Sequence, residues 1–395
     1  MHRVFDCHLH LLQKASLTQS VESYRRYFTL NHVERAIFLM IPWEVAWQTN
    51  NDDTQNLKGL YLKKQFPNCY SYAGLCHYPT LSEEEQAENF LAQAQEYYAA
   101  GYDGIKLLEG KPGLRKLFKF KISDPVYDKM FSFLEEVNMP VTLHNGDPSA
   151  FWDKSKMSEY AIKRGWFVDE TNLTLTEMQE DILTLMKRHP KLRFTQAHCG
   201  FTSDRIEQAK RFLGDYEYTR YDMTPGGEQE LYMSRHWDTW GLFFAESADR
   251  YKYGTDTYNS VPPETPLAIP PRTVEPNHMP GFDIDPEKVD GWTRNLLYRP
   301  WFLRNFMETA TEHVYSGETF KGVHLPCDVR EKIYFGNAYR DLGDPRPVNE
   351  QYYAAELDKL TAKYKATEDI PAYLAQYKLD ALSPDVLGDL AEMGK

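Results

Sequence analysis

The chain has few cysteines, no long apolar run and no apolar leader. Its five cysteines among 395 residues include no CxxC pair, which argues against a disulfide framework. No run of about 18 apolar residues occurs, so we expect no transmembrane helix. The first residues, MHRVFDCH, place ionisable groups where a signal peptide needs an apolar stretch. These absences predict a cytoplasmic protein.

Basic residues are fewer than acidic residues. Lys and Arg number 45 against 58 Asp and Glu, a net charge of −13, which argues against partners such as nucleic acid or an anionic membrane. No glycine-rich phosphate loop occurs, so we expect no nucleotide cofactor. A hydrophobic content of 42% with 14% aromatic residues predicts a folded core and aromatic-walled clefts. The expected partner is a small-molecule substrate.

Short apolar runs alternate with helical patterns along the chain, as in α/β proteins with parallel strands. The helical segments are 83–100, 124–138, 175–189, 203–214 and 228–248. Eight strands separated by helices favour one (β/α)8 TIM barrel over two smaller sheets. The predicted strands are 3–8, 35–41, 70–76, 103–108, 140–144, 192–197, 217–222 and 251–254.

Two long insertions and a tail interrupt the pattern. Residues 145–174 follow the fifth strand and the proline-rich residues 259–300 follow the eighth; such loops are typical of lids or substrate walls, with a surface excursion or dimer contact as the alternative. The chain from 301 to 317 has helical spacing. We predict a barrel over 1–345 and a C-terminal helical extension over 346–395 that packs on it.

The strongest functional signal is His8-Leu9-His10 at the end of the first strand. Residues i and i+2 of a strand face the same side, so both imidazoles should point into the mouth of the barrel, where barrel active sites lie. By the same alternation Cys7 should face outward as a buried structural thiol. Two neighbouring neutral imidazoles suit Zn²⁺ or a similar divalent ion.

Other polar residues end later strands. His144 ends the fifth strand, His198 the sixth, and Asp256 follows the eighth. The spacings from His10 to His144 (134 residues, four βα steps) and from His198 to Asp256 (58 residues, two steps) correspond to about 30 residues per step. The spacing from His144 to His198 is 54 residues, because this single step contains the long insertion. All five groups can therefore converge on one mouth. There, a metal ion can activate water, Asp256 can accept its proton, and His198 can polarise a carbonyl.

These motifs resemble a known family. FDCHLHL, the His144 and AHCG segments, YGTDTY and the helix VREKIYFGNAYRDL are similar to the second amidohydrolase family of the amidohydrolase superfamily, over roughly residues 3–345. That family includes aminocarboxymuconate-semialdehyde and aromatic-acid decarboxylases and sugar and pyrone lactonases. The resemblance implies one divalent metal held by His8, His10, His144 and Asp256, with His198 acting on the substrate. A homodimer is also a family-level expectation.

Lys106 affects the expected number of metal ions. It lies near the end of the fourth strand, where binuclear relatives carry a carboxylated lysine that bridges two metals. The alternative is a charged lysine that binds a substrate carboxylate or pairs with Glu109. We favour one metal, zinc before manganese, with a second ion only if Lys106 is carboxylated.

We interpret the protein as a metal-dependent hydrolase of a small lactone, ester or amide. The first alternative is a non-oxidative decarboxylase of an aromatic or muconate-like acid, which Arg220, Arg235, Arg272 or Lys106 pointing at the metal would favour. The second is a non-catalytic barrel used for binding.

Two further residues are candidates for substrate binding. Trp152 lies in the insertion after the fifth strand, where it either walls the pocket or anchors its own loop. Arg220 lies in the seventh strand, where it either binds a carboxylate or forms an ion pair inside the barrel.

Overall fold

The structure is a computed structural model that describes residues 2–11, 16–42, 54–78, 80–118, 120–157, 159–163, 165–225, 229–259, 290–315, 318–366 and 385–395. Within these residues one parallel sheet curls into a TIM-like barrel, which confirms the predicted fold class. Its strands lie in the spatial order β8-β7-β6-β5-β4-β3-β2-β1-β9. They are β1 (Val4–His10), β2 (Val33–Leu39), β3 (Tyr70–Gly74), β4 (Gly104–Gly110), β5 (Val141–Asn145), β6 (Phe194–Gln196), β7 (Thr219–Asp222), β8 (Tyr251–Lys252) and β9 (Thr257–Tyr258).

The segment that contains β8 and β9 joins the two edges of the sheet. β8 pairs in parallel with β7, and β9 pairs in parallel with β1. Between them, the carbonyl of Tyr253 accepts a hydrogen bond of 2.9 Å from the amide of Cys7. The short span between the two strands leaves Asp256 at the mouth of the barrel.

Helices surround the sheet, and apolar residues from both form one large core. The helix predicted over 83–100 is confirmed, since Ser82 and Glu85 form a capping box and Gly101 ends the helix at φ 94°. The helices are α1 (Leu17–Asn31), α2 (Gln55–Gln65), α3 (Glu83–Ala100), α4 (Pro112–Phe118), α5 (Asp128–Glu136), α6 (Glu159–Lys163), α7 (Leu175–Arg188), α8 (Ile206–Asp215), α9 (Gln229–Ser234), α10 (Trp237–Glu246), α11 (Gly291–Glu308), α12 (Cys327–Glu331), α13 (Asn337–Leu342), α14 (Glu350–Lys365) and α15 (Val386–Met393).

Two helix predictions need correction. The single helix expected over 228–248 is divided into α9 and α10, with a break at Arg235 and His236. The helical pattern expected to continue to 317 ends at Glu308, and an antiparallel hairpin of β10 (Glu312–Tyr315) and β11 (Glu318–Lys321) follows. In a strand, successive side chains of EHVY point to opposite faces. This places His313 on the buried face of the hairpin.

A bulge in β1 overturns the predicted orientation of Cys7. The pairing register with β2 shifts between Asp6 and Leu9, so that three steps along β1 match two steps along β2. Such a bulge changes which face the side chains point to. Cys7 consequently packs with Phe5 and Leu39 in a cluster that is separate from the large core between the sheet and the surrounding helices. It is a buried thiol, as expected, but it faces the interior of the barrel.

The C-terminal helices α14 and α15 pack against each other, and they also contact α2 and α1. Asp389 of α15 is buried, and its carboxylate accepts hydrogen bonds from the amide of Leu17 at 2.7 Å and the ammonium of Lys58 at 2.9 Å. The division of the chain near residue 345 stays a prediction. In the described part of the chain, no helix has the length and apolar character needed to cross a membrane.

The insertion after β5 contains the 3-10 turns Ser149–Trp152 and Lys154–Lys156, followed by α6. Most of the insertion predicted after the eighth strand, residues 260–289, lies outside the described residues.

Candidate metal centre and active site

The carboxyl ends of the strands bring most of the predicted site residues to one face of the barrel, where TIM-barrel active sites lie. His8 and His10 belong to β1, Lys106 to β4 and His144 to β5. His198 begins the turn after β6, and Asp256 lies between β8 and β9.

Three of these residues form a cluster that could hold a metal ion, namely His8, His10 and Asp256, whose ligand atoms all lie within 4.8 Å of one another. The Nε2 atoms of the two histidines are 3.0 Å apart. Asp256 Oδ1 is 3.3 Å from His10 Nε2 and 3.8 Å from His8 Nε2. Ligands bound tetrahedrally at 2.0–2.1 Å are roughly 3.3 Å apart, so the spacing fits a divalent ion.

Hydrogen bonds to the other ring nitrogens orient both imidazoles. His8 Nδ1 lies 2.8 Å from Asp222 Oδ2, and His10 Nδ1 lies 2.8 Å from the carbonyl oxygen of Leu39. These acceptors favour the tautomer with the proton on Nδ1, so the Nε2 lone pairs of both histidines point at each other. A cation between them would remove that repulsion, and metal-bound histidines commonly have such partners.

Burial also favours the neutral form of both histidines. Desolvation lowers the pKa of His10 to about 4 and the pKa of His8 well below its usual value. A neutral imidazole is the form that binds a metal ion. The donor set, its spacing and its protonation state all suit a divalent cation.

Asp256 is ionised and has its own cationic partner. Burial alone would raise its pKa, but the guanidinium of Arg299 and the two histidines hold the pKa of Asp256 well below its usual range. Arg299, from α11, donates hydrogen bonds to the carboxylate and to the backbone carbonyl of Asp256. The backbone of Asp256 has a φ of 54°, a strained conformation for a non-glycine residue. Asp256 therefore offers a carboxylate ligand in a fixed position.

Lys106 points at the metal cluster. Its Nζ atom lies 3.3 Å from His8 Nε2, and the side chain is buried. Within the described ranges, no carboxylate oxygen lies within 4 Å of this Nζ atom, so the pairing with Glu109 does not form. Desolvation lowers the pKa of Lys106 to about 8, against the opposing effects of Asp222 and Asp256. In the described part of the chain, Lys106 is therefore a buried cationic group with no carboxylate at ion-pair distance.

His144 is not brought into the cluster. Its Nε2 atom lies 3.4 Å from Asp147 Oδ1 and 3.5 Å from Lys111 Nζ. Lys111 and Asp147 pair with each other at 2.7 Å. His144 instead lies beside His198, with ring centroids 4.8 Å apart. Its role as a fourth metal ligand stays a prediction.

His198 lies between the cluster and His144. Its ring centroid is 5.3 Å from that of His8, and its amide donates a hydrogen bond of 2.8 Å to Asp222 Oδ1. Burial lowers the pKa of His198 to about 3. Its buried Nδ1 atom has no hydrogen-bond partner within the described ranges, so this nitrogen is available to bond a substrate.

The remaining substrate-binding candidates lie elsewhere. Arg220 pairs with Asp341 of α13, with Nε 3.0 Å from Oδ2, so the structure has the ion pair inside the barrel that the sequence left as the alternative. Trp152 donates a hydrogen bond of 3.0 Å to the carbonyl of Leu173 and packs within its own insertion. Arg235 is exposed and lies over the ring of Tyr232, and Arg272 lies outside the described residues.

Sequence reasoning missed several residues of the site. Asp222 ends β7 and could have been found by the same strand-end rule that found His144 and His198. Arg299 gave no comparable signal, because it comes from a helix distant in sequence. Glu230 was also overlooked; it belongs to α9, a helix that contacts the turn that begins at His198.

Glu230 is a buried carboxyl group whose Oε2 atom has no hydrogen-bond partner among the residues that the structure describes. Burial raises its pKa to about 8 from the ordinary 4.5. Between these values the folded state keeps a proton that the unfolded state releases, so the free energy of unfolding should fall as pH rises. The fall is at most about 4 kcal/mol between pH 5 and pH 8.

Glu230→Gln should remove this pH dependence, because glutamine cannot ionise. Urea unfolding at pH 5 and pH 8 should show that the variant gains stability relative to the wild type at the higher pH. Glu207→Gln is the control, since the Glu207 side chain is 81% exposed. Parallel pH profiles for wild type and Glu230→Gln would contradict the raised pKa.

Comparison with known proteins assigns the chain to a family. The model of the amidohydrolase family matches residues 5–343, and the chain belongs to that family. No curated protein matches the chain. The protein is therefore an enzyme of the amidohydrolase superfamily with a candidate His-His-Asp metal site.

Solved structures of three other proteins are similar at low identity. A 2,6-dihydroxybenzoate decarboxylase from Rhizobium is 13% identical, with a TM-score of 0.49 over 87% of this chain and 99% of its own. A 4-oxalomesaconate hydratase from Rhodopseudomonas palustris is 13% identical, with a TM-score of 0.48 over 92% and 99%. A dihydroxybenzoic acid decarboxylase from Polaromonas, which holds manganese, is 13% identical, with a TM-score of 0.45 over 87% and 97%.

Proposed function

We propose that the protein is a metal-dependent, non-oxidative decarboxylase of a small organic carboxylic acid. The observation that carries this proposal is Lys106, whose buried Nζ atom lies 3.3 Å from His8 Nε2 without a carboxylate partner in the described residues. A buried charge without a counter-ion is costly. A substrate carboxylate would supply the missing counter-ion beside the metal cluster.

His8, His10 and Asp256 would hold the ion, with zinc as the proposed metal because two imidazoles and a carboxylate suit it; manganese is the alternative. A divalent ion at this position supplies Lewis acidity to a substrate oxygen. His144 is proposed as a fourth ligand only if its ring leaves Asp147 and Lys111.

The chain's own residues would bind the substrate carboxylate and transfer the proton. Lys106 binds and orients the carboxylate. When the bond between the substrate carbon and the carboxylate breaks, carbon dioxide leaves and the electron pair stays on that carbon, which takes up one proton. We assign to His198 the relay of this proton from solvent, because its ring centroid lies 5.3 Å from that of His8 and its buried Nδ1 atom has no hydrogen-bond partner among the described residues. Asp256 is less suited to donate a proton, since Arg299 holds it ionised.

Hydrolysis of a lactone, ester or amide, which the sequence favoured, is the second candidate. Asp256 supports it, because an ionised carboxylate 3.3 Å from His10 Nε2 could accept a proton from water at the cluster. The ion pair with Arg299 weakens Asp256 as a base, and hydrolysis gives Lys106 no obvious partner. These two points place decarboxylation first.

The test is a pair of substrate screens with enzyme reconstituted with zinc. One screen measures carbon dioxide release from aromatic and unsaturated carboxylic acids, and the other measures hydrolysis of lactones, esters and amides. We expect carbon dioxide from at least one acid and no hydrolysis. Hydrolysis without carbon dioxide release would reverse the order of the two candidates, and turnover in neither screen would contradict both.

A further inference from the structure

A cavity lies at the end of the barrel where the strands begin, opposite the metal cluster. It has a volume of about 210 Å³. Tyr70 begins β3, Asp103 directly precedes β4, and Arg193 directly precedes β6. Parallel strands all begin at the same face, so these residues meet at the end of the barrel away from the metal cluster. The cavity is lined by Tyr70, Asp103, Asn138, Arg193, Asp344 and Arg346, among others.

The guanidinium groups of the cavity's two arginines have no acidic partner among the described residues. Across the described ranges, neither the guanidinium of Arg193 nor that of Arg346 lies within 4 Å of a carboxylate oxygen. Arg193 Nη1 makes a long hydrogen bond of 3.4 Å to the carbonyl of Asn138. Arg346 Nη1 donates to the carbonyl of Tyr102 at 2.8 Å, and its guanidinium lies 3.8 Å from the centre of the Tyr98 ring.

The acidic residues of the cavity are already neutralised by other cations. Asp103 Oδ2 lies 2.6 Å from the ammonium of Lys63, and its Oδ1 accepts the backbone amide of Arg346 at 2.7 Å. Asp344 pairs with Arg35 at 2.9 Å. Each acid thus has a cation of its own, and the positive charge of Arg193 and Arg346 is in excess.

We propose that this cavity binds a small organic anion at a site separate from the metal centre. The guanidinium groups provide planar donors that match carboxylate or phosphate oxygens. Part of the wall is apolar, formed by Val137, Met139, Pro140 and Leu342, which suits a carbon skeleton. The volume is below the 300–1,000 Å³ typical of sites for drug-sized ligands, so the ligand is small.

Calorimetric titration of the full chain with benzoate tests the proposal, because benzoate is a small planar carboxylate. The metal centre is also expected to bind carboxylates, so the titration uses the Lys106→Met variant, in which that site is impaired. We expect one benzoate bound per chain. Arg193→Gln in this background should weaken binding at least tenfold, and Arg193→Lys less.

Arg346→Gln should weaken binding as well, and it provides a second variant if Arg193→Gln does not fold. Arg205→Gln is the matched control, since Arg205 donates a hydrogen bond to Thr176 outside the cavity. The affinity of this variant for benzoate should equal that of the Lys106→Met protein. Absence of saturable benzoate binding, or binding unchanged by both cavity variants, would overturn the proposal. Binding of inorganic phosphate without benzoate would overturn the assignment to an organic anion. None of these outcomes depends on which reaction the metal centre catalyses.

Discussion

The His10→Ala variant is expected to lose its metal and its turnover together. His10 Nε2 lies 3.0 Å from His8 Nε2 and 3.3 Å from Asp256 Oδ1, so its removal leaves two of the three clustered donors. We expect the metal content to fall from about one ion per chain to below about 0.1, and turnover to fall at least about 100-fold, since metal-activated chemistry depends on the bound ion. Elemental analysis and the carbon dioxide assay measure the two effects.

His236→Ala is the control for this experiment, because His236 is exposed and lies before α10, outside the cluster. It should keep the metal and the activity of the wild type. Circular dichroism should show the same helix content for both variants. A His10→Ala protein that retains one ion per chain would contradict the assignment of the cluster.

Lys106→Met should abolish most of the turnover of a carboxylate substrate while the metal stays bound. Methionine keeps most of the length of lysine and removes its charge, so the substrate carboxylate loses its proposed partner. Removing one partner of a buried charge pair costs about 2–5 kcal/mol, which corresponds to about a 30-fold to 4,000-fold loss in kcat/KM. Lys106→Arg should retain more activity because it retains the charge.

Two measurements separate this role from other roles of Lys106. Metal content should remain at about one per chain, which would not hold if a carboxylated Lys106 were a metal ligand. Lys187→Met, a change on the exposed face of α7, should behave as the wild type. Unchanged kcat/KM in Lys106→Met would refute its proposed binding of the carboxylate.

Much of the candidate site could be predicted from the sequence, because strand ends in a barrel are easy to recognise. His8 and His10 share a strand at a spacing of two, and His198 and Asp256 follow strands, so their convergence follows from the fold. Asp222 also follows this rule. Aspartate is common in the turns that follow strands, however, so its position alone does not indicate a functional residue. The sequence position of Lys106 did not show whether its side chain points at the metal cluster or pairs with Glu109.

Other features depend on tertiary structure that no local pattern shows. Arg299 reaches Asp256 from α11, 43 residues further along the chain. The inward direction of Cys7 results from a bulge in β1, which the alternation rule does not anticipate. His144 lies at the expected strand end, but its contacts with Lys111 and Asp147 decide where its ring points. Periodicity predicts which strand a residue ends, whereas neighbouring charges decide which contacts it makes.

The most direct test of the metal centre is the metal content of the wild-type protein, purified without chelator or nickel affinity and measured by elemental analysis. We predict about one divalent ion per chain, with zinc before manganese, bound by the His8, His10 and Asp256 cluster. A protein that contains no metal and takes up none on reconstitution would contradict a metal-dependent site. Two ions per chain would contradict the single-metal centre and make Lys106 a bridging ligand.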